Sequence, residues 1–374
     1  MKPLRNRKKS SWRRPKTQSK ELKLREVARQ SYQQVDTWRK QWRLHRKLTA
    51  KSTPLEFCLR PYLALLIYAL AFSLLGRGLS HLHGEPVYWA LWWNESLAPP
   101  LAWLMSSSWS SYSTDPSVET SLIYCQHILM WLFLIIGLIA MYAPRRLSQS
   151  LRAHGHASSL DLKKTKVTRS LKGQAAQRLA EPPRSARFFS RAFASAIGLQ
   201  FFYTLCLWIS NEYRWASLCE HILQVALPFG CLLMLPYTPQ EWEQPAEKLI
   251  QCTLSLCFIG HGLYALNISP TPAEFLNMTM NVTHLSEGGA RYFLSIFGSL
   301  DLIMAVLVWI PIHELRRSAL IYMMIWGLLT ALARPFGLPV TTFLDRLIIW
   351  GPEALWRLSH ALVPLWLWQR SYSE

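Results

Sequence analysis

Residues 258–270 read FIGHGLYALNISP, and residues 74–86 read LLGRGLSHLHGEP. Laid on each other without a gap, Gly76 meets Gly260, Gly78 meets Gly262, Leu79 meets Leu263, Leu82 meets Leu266 and Pro86 meets Pro270, while Arg77 falls on His261. Each stretch ends an apolar run, and each is followed by the same succession. An outer loop, a second run, a basic patch (APRRLS or HELRRS), a third run and a polar-headed fourth run come in that order. The two heads are CEHILQVALP and EALWRLSHALVP; aligning Pro228 with Pro364 places Gln224 on His360 and His221 on Arg357. This repetition reads as an internal duplication of a four-helix unit. A unit with an even number of crossings inserts both copies in the same direction. The expected fold is therefore an all-α membrane protein, with eight transmembrane helices arranged as two parallel four-helix repeats.

Composition supports the membrane class. The chain of 374 residues is 51% hydrophobic, holds 18 Trp and carries a formal charge of +19, a combination foreign to ordinary soluble enzymes of this size. The charge is concentrated, since the first fifty residues are basic and polar. After them, apolar runs long enough for a hydrocarbon layer of roughly 30 Å alternate with polar connectors. Spans are predicted near 58–76, 121–143, 193–211, 217–235, 247–266, 290–311, 317–334 and 353–368. The Trp-rich segment YWALWWNESLAPPLAWLM between the first two, broken by Pro99 and Pro100, reads as interfacial or re-entrant. The domain division is a basic arm over 1–53 and a first repeat over 54–240, with a basic loop at 144–191, followed by a second repeat over 245–374.

Lys and Arg fix the orientation, because basic loops resist translocation. The arm, the loop from Arg145 to Arg191 and the patch at Arg316 and Arg317 all fall on one side if both termini are cytoplasmic. Residues 77–120 and 267–289 then lie outside; PYTPQEWEQPAEK, acidic on the basic side, is an exception. No signal-peptide core occurs in the first fifty residues, so targeting is expected to rest on the first span, and the expected location is a bacterial inner membrane. The arm has two readings, adhesion to anionic lipid headgroups through residues 1–50 or a solvated topology signal. Nucleic-acid binding is not expected, since no recognition fold accompanies the charge. Asn94, Asn267, Asn277 and Asn281 begin Asn-X-Ser/Thr triplets in the outer loops and are glycan acceptors only in a eukaryotic host.

Ionisable groups inside spans are costly, so they mark either interhelical bonding or a site. Asp301 is mid-span, and at similar predicted depth come His261, Arg334, Glu353, Arg357 and His360, the last three spaced to share one helical face. The first copy offers Arg77, Gln126, His127, Glu220, His221 and Gln224. Asp301 is read as a buried acceptor, His261 and His360 as proton partners, and Arg334 with Arg357 as anion holders. The competing reading makes all of them interhelical glue. Paired histidines raise haem, but the first copy has Arg77 where the second has His261, which disfavours it. The seven cysteines form no CxxC pair and are read as packing residues, and no metal site is expected.

The second half, from Lys248 to Trp368, resembles the DoxX-like four-helix membrane families through FIGHGLYAL, GSLDLIMAVLVWIP with Gly298 and Asp301, and WGLLTALARP with Arg334. The resemblance implies a compact four-helix unit, in some members a subunit of quinone-linked sulfur oxidation. The expected function is a polar pocket in the outer half of the membrane binding a small anion or quinone-like molecule. A place in a redox complex beside a membrane redox partner is compatible with it. A small-molecule transporter or a non-catalytic scaffold are the alternatives. No catalytic residue is assigned, and no cofactor is expected apart from a quinone.

Overall fold

The computed structural model describes residues 61–82, 89, 103, 116–164, 184–235, 238, 240–337 and 342–371, with the backbone alone at 61, 151–164 and 240. The basic arm, its expected lipid contact and, but for Trp89 and Trp103, the Trp-rich segment around Pro99 and Pro100 lie outside the described residues. Every extended element among the described residues is a helix: α1 (Pro61–Ser80), α2 (Pro116–Lys164), α3 (Arg184–Ser210), α4 (Trp215–Leu233), α5 (Glu243–Ala265), α6 (Ala273–Thr283), α7 (Glu287–Leu307), α8 (His313–Gly337), α9 (Phe343–Arg357) and α10 (Ser359–Arg370).

Six helices are long and apolar enough to cross a membrane: α1, the Pro116–Ser150 part of α2, α3, α4, α7 and α8. Their outward faces carry bare apolar side chains such as Trp131, Leu138, Ile303, Val306, Leu329 and Phe336. Such a belt suits lipid and not water. The fifth expected span, α5, falls outside that set for a physical reason. Its polar residues Glu247, Gln251, Thr253 and Ser255 are buried among other helices, so this helix has little need to be apolar against lipid. Gln251 donates to the Val308 carbonyl at 2.9 Å, and Ser255 accepts from the Trp309 indole at 2.8 Å, tying α5 to the end of α7.

The eighth expected span is two shorter helices, α9 and α10, joined at Leu358. The second is longer than expected: α2 continues through Pro144 to Lys164, so the basic loop begins as helix. At about 1.5 Å per residue this helix exceeds the bilayer thickness and must project beyond it. The outer loop at 267–289 contains α6, an amphipathic helix that packs on α7 and α8.

Glycines set the closest approaches, Gly327 among them, where a Cβ would lie 2.5 Å from the His360 carbonyl oxygen. A Cβ at Gly76 would lie 2.5 Å from both the Pro352 carbonyl and the Trp356 amide, and one at Gly260 would lie 2.7 Å from both the Ala216 carbonyl and the Glu220 amide. Only glycine lets α1 sit on α9, and α5 on α4, at backbone contact. Beyond α5 the chain turns at Asn267, whose φ of 57° is left-handed, a conformation asparagine tolerates. Its side-chain oxygen accepts from the Thr271 amide at 3.1 Å.

At one end of the bundle, Arg370 pairs with Glu243 and, at 2.7 Å, with Glu247, while Arg316 reaches Glu247 at 3.3 Å and Tyr62 donates to Glu243 at 3.0 Å. These ion pairs account for the acidic connector that departed from the charge rule. The Glu243 and Glu247 carboxylates are neutralised within the protein. Along α5, Glu247 and His261 are separated by about 21 Å, so two charged layers lie toward opposite ends of one membrane-sized bundle.

Candidate functional site

At the His261 end, the carboxylate of Glu220 on α4 is the centre. Arg357 Nη1 donates to Glu220 Oε1 at 2.9 Å, and His261 Nδ1 lies 3.9 Å from the same oxygen. Both members of the ion pair are buried, with side chains 8% and 6% exposed for Arg357 and Glu220. A buried pair earns little net stability, but breaking it leaves one charge stranded. His261 and His360 meet edge to face with ring centroids 5.3 Å apart. Gln224 Nε2 is 3.0 Å from His360 Nε2, and the Cys257 thiol lies 3.5 Å from that nitrogen while donating to the Glu220 carbonyl at 3.2 Å. His221 bonds the Ser217 carbonyl at 2.9 Å through Nδ1 and lies beside the Trp356 ring, with centroids 5.5 Å apart.

Two expected groupings are rearranged by this packing. Glu220, His221 and Gln224 were expected to group with Arg77, Gln126 and His127, yet they meet Arg357 and His360. Glu353, Arg357 and His360 are divided by the break at Leu358 and do not form one continuous stripe. Glu353 pairs with Arg334 at 3.2 Å, and Arg334 also holds Glu274 at 2.8 Å. Asp301 is 2% exposed and accepts from the Tyr322 hydroxyl at 2.8 Å, so a phenol on α8 is among its hydrogen-bond partners.

Arg77 is buried with its guanidinium 3.7 Å from the Trp356 ring centre and 4.3 Å from that of Tyr203. Gln126 donates to the His81 carbonyl at 2.6 Å. His127 stands apart, exposed and bonded to the Ile123 carbonyl of its own helix at 2.8 Å.

A cavity of about 480 Å³ lies among α5, α6, α7 and α8. Phe275, Met278, Val282, Phe293, Trp326 and Leu329 supply apolar wall, and His261, Asp301, Arg334 and Arg357 supply polar lining. It is within the size range of small-molecule sites, and its makeup of mostly apolar wall with a few polar groups suits an amphipathic occupant. Phe275 stacks on His261 at 6.1 Å, so α6 closes one wall of the cavity. The Asn281 amide donates to the Gly337 carbonyl at 2.7 Å, tying that helix to α8 and engaging one of the four candidate glycan acceptors.

Sequence reasoning passed over Cys257 and Tyr322. A signal for the first was present: Cys257 is four residues before His261, so both project from one face of α5. Tyr322 gave no signal, because its meeting with Asp301 depends on how α7 and α8 face each other.

Comparison of the chain with family models, with curated proteins and with solved structures finds no match. Fold and site define a class, a multi-pass, helical integral membrane protein with a buried network of charges near one end of its bundle.

Proposed function

We propose that this is a duplicated, eight-span protein of DoxX-like kind in a bacterial inner membrane, with both termini cytoplasmic, and that its cavity binds an amphipathic, quinone-like or small anionic molecule in the outer half of the bilayer. In this reading α5 and the α9–α10 pair are spans as well. Matched contacts support the duplication. The register that aligns Pro228 with Pro364 carries Ala216 to Pro352 and Glu220 to Trp356, and these are the respective seats of Gly260 and Gly76. The same register turns the Glu220–Arg357 pair into the Trp356–His221 ring contact. Gln224 and His360, which correspond to each other, touch, as residues beside a two-fold axis do.

The observation that carries the binding reading is the cavity itself, apolar over most of its wall with His261, Asp301, Arg334 and Arg357 as its polar groups. Arg334 and Arg357 already hold carboxylates, so an incoming head would share them with Glu353, Glu274 and Glu220. A neutral carbonyl-bearing head meets less competition there than a full anion. The protein in nanodiscs, heated with and without decylubiquinone or benzoate, tests the reading. At least one compound is expected to raise the unfolding temperature. Ala333→Phe, which puts a ring into the cavity, is expected to abolish the rise, and Asp301→Asn and His261→Ala to weaken it at least tenfold. No rise with either compound, or a rise unaltered by all three substitutions, overturns the proposal.

A further inference from the structure

We propose that Cys257, His261 and His360 form a site for a borderline-soft divalent cation, zinc(II) being the ion that this donor set suits. One ligand atom from each lies within 4.8 Å of the other two. Sulfur and imidazole nitrogen donors select zinc over magnesium or calcium, which prefer oxygen. In a tetrahedral zinc centre, bonds of about 2.3 Å to sulfur and 2.0–2.1 Å to nitrogen put the two donors about 3.5 Å apart. Cys257 Sγ and His360 Nε2 are 3.5 Å apart. The third donor needs an inward movement of the order of 1 Å, within reach of a histidine rotamer adjustment.

The polar atoms around the triad point to the same place. His261 Nε2 is buried and has no hydrogen-bond partner, while Nδ1 of the same ring faces Glu220 at 3.9 Å. Shortened to hydrogen-bond length, that contact is the one by which a carboxylate orients a histidine ligand from behind. Gln224 Oε1 is also buried without a partner, on a side chain 1% exposed whose amide nitrogen already lies 3.0 Å from His360 Nε2. A half-turn of that amide brings an oxygen donor toward the triad, and amide orientation is an assignment of the hydrogen-bond network. Cys257 and His261 share a face of α5, so a single helix presents two ligands, and the start of α10 presents the third.

Charge permits the ion. Arg357 is engaged by Glu220, and Arg334 by Glu274 and Glu353, so each neighbouring cation has a carboxylate. The thiol gives its proton to solvent as the metal–sulfur bond forms, and the resulting thiolate cancels one of the two added charges. His261 lies in the cavity wall, so the ion has an entry path from the cavity side.

The test uses the full chain in nanodiscs, stripped with a chelator and titrated with cobalt(II) chloride alone. One equivalent is expected to bind, with a thiolate-to-cobalt charge-transfer band and the visible bands of a tetrahedral centre, all displaced by zinc(II). Cys257→Ser is expected to remove the charge-transfer band, and His360→Ala to weaken binding at least tenfold. Cys231→Ser, also in the buried core, is expected to leave the spectrum as it is. Absence of the band in the unsubstituted protein, or its persistence in Cys257→Ser, overturns the site. The first of these decides the matter even where a variant does not fold. Because no cavity ligand enters the titration, its result is separate from that with decylubiquinone.

Discussion

Arg77 and His261 occupy corresponding places in the two aligned stretches, yet their surroundings differ in kind. Around Arg77 the interior is closed by aromatic rings: Trp356 and Tyr203 take its guanidinium, and Phe133 meets Tyr203 edge-on at 6.0 Å. Among the described residues no carboxylate is within ion-pair distance of it. Around His261 the interior opens into the cavity, and the nearest cation, Arg357, is neutralised by Glu220. Arg77 is thus held by the faces of rings, whereas Arg357, which also lies over the Trp356 ring at 4.4 Å, has a carboxylate as well. Rings need no precise partner and fill space; a carboxylate brings polarity, hydrogen-bond demand and room for a guest. The same backbone seat, glycine against a neighbouring helix, serves both.

The contrast can be broken most sharply at the ion pair. Arg357→Met strands the Glu220 carboxylate and is expected to destabilise the protein by about 3–5 kcal/mol, read from denaturant or thermal unfolding in detergent. Adding Glu220→Gln to it is expected to recover much of that loss, since both charges are then gone. A double variant no better than the single one removes the ion pair from the account.

Next come the glycine seats. Gly76→Ala and Gly260→Ala each push a Cβ against backbone and are expected to cost about 1–3 kcal/mol, with similar values for the two. A large disparity between them breaks the equivalence of the halves. Smaller again is Arg77→Met, expected to cost about 0.5–2 kcal/mol, the range of a cation over aromatic faces. A cost equal to that of Arg357→Met shows that Arg77 is held like Arg357 and erases the contrast. Smallest is Glu274→Gln: this carboxylate is 59% exposed, so its bond to Arg334 is expected to contribute under about 1 kcal/mol and to fade in salt.

Much of this organisation was legible in the residues. The apolar runs mark six helices of membrane-crossing length, because hydropathy is a local property that the bilayer reads directly. Most of the costly polar residues singled out, among them Glu220, His221, Gln224, Arg334 and His360, are indeed buried. His127 is not, because its position on α2 faces outward, and no periodicity within an all-apolar run distinguishes a lipid face from a core face. The helix in the outer connector was hidden too: α6 is short, and its apolar face acquires meaning only against α8. Likewise the break at Leu358 changes which residues share a face, though no glycine or proline lies within five residues of it to mark it.

The sequence by itself determined that this is a helical membrane chain with a basic arm, where its apolar segments lie and which residues are too polar to sit there without company. Tertiary structure alone decided the company they keep. Glu220 and Arg357 are separated by 137 positions and Gln224 and His360 by 136. Whether such residues touch depends on the rotation and depth of whole helices against one another. Those are set by backbone seats such as Gly76 and Gly260 and not by any pattern within a single span.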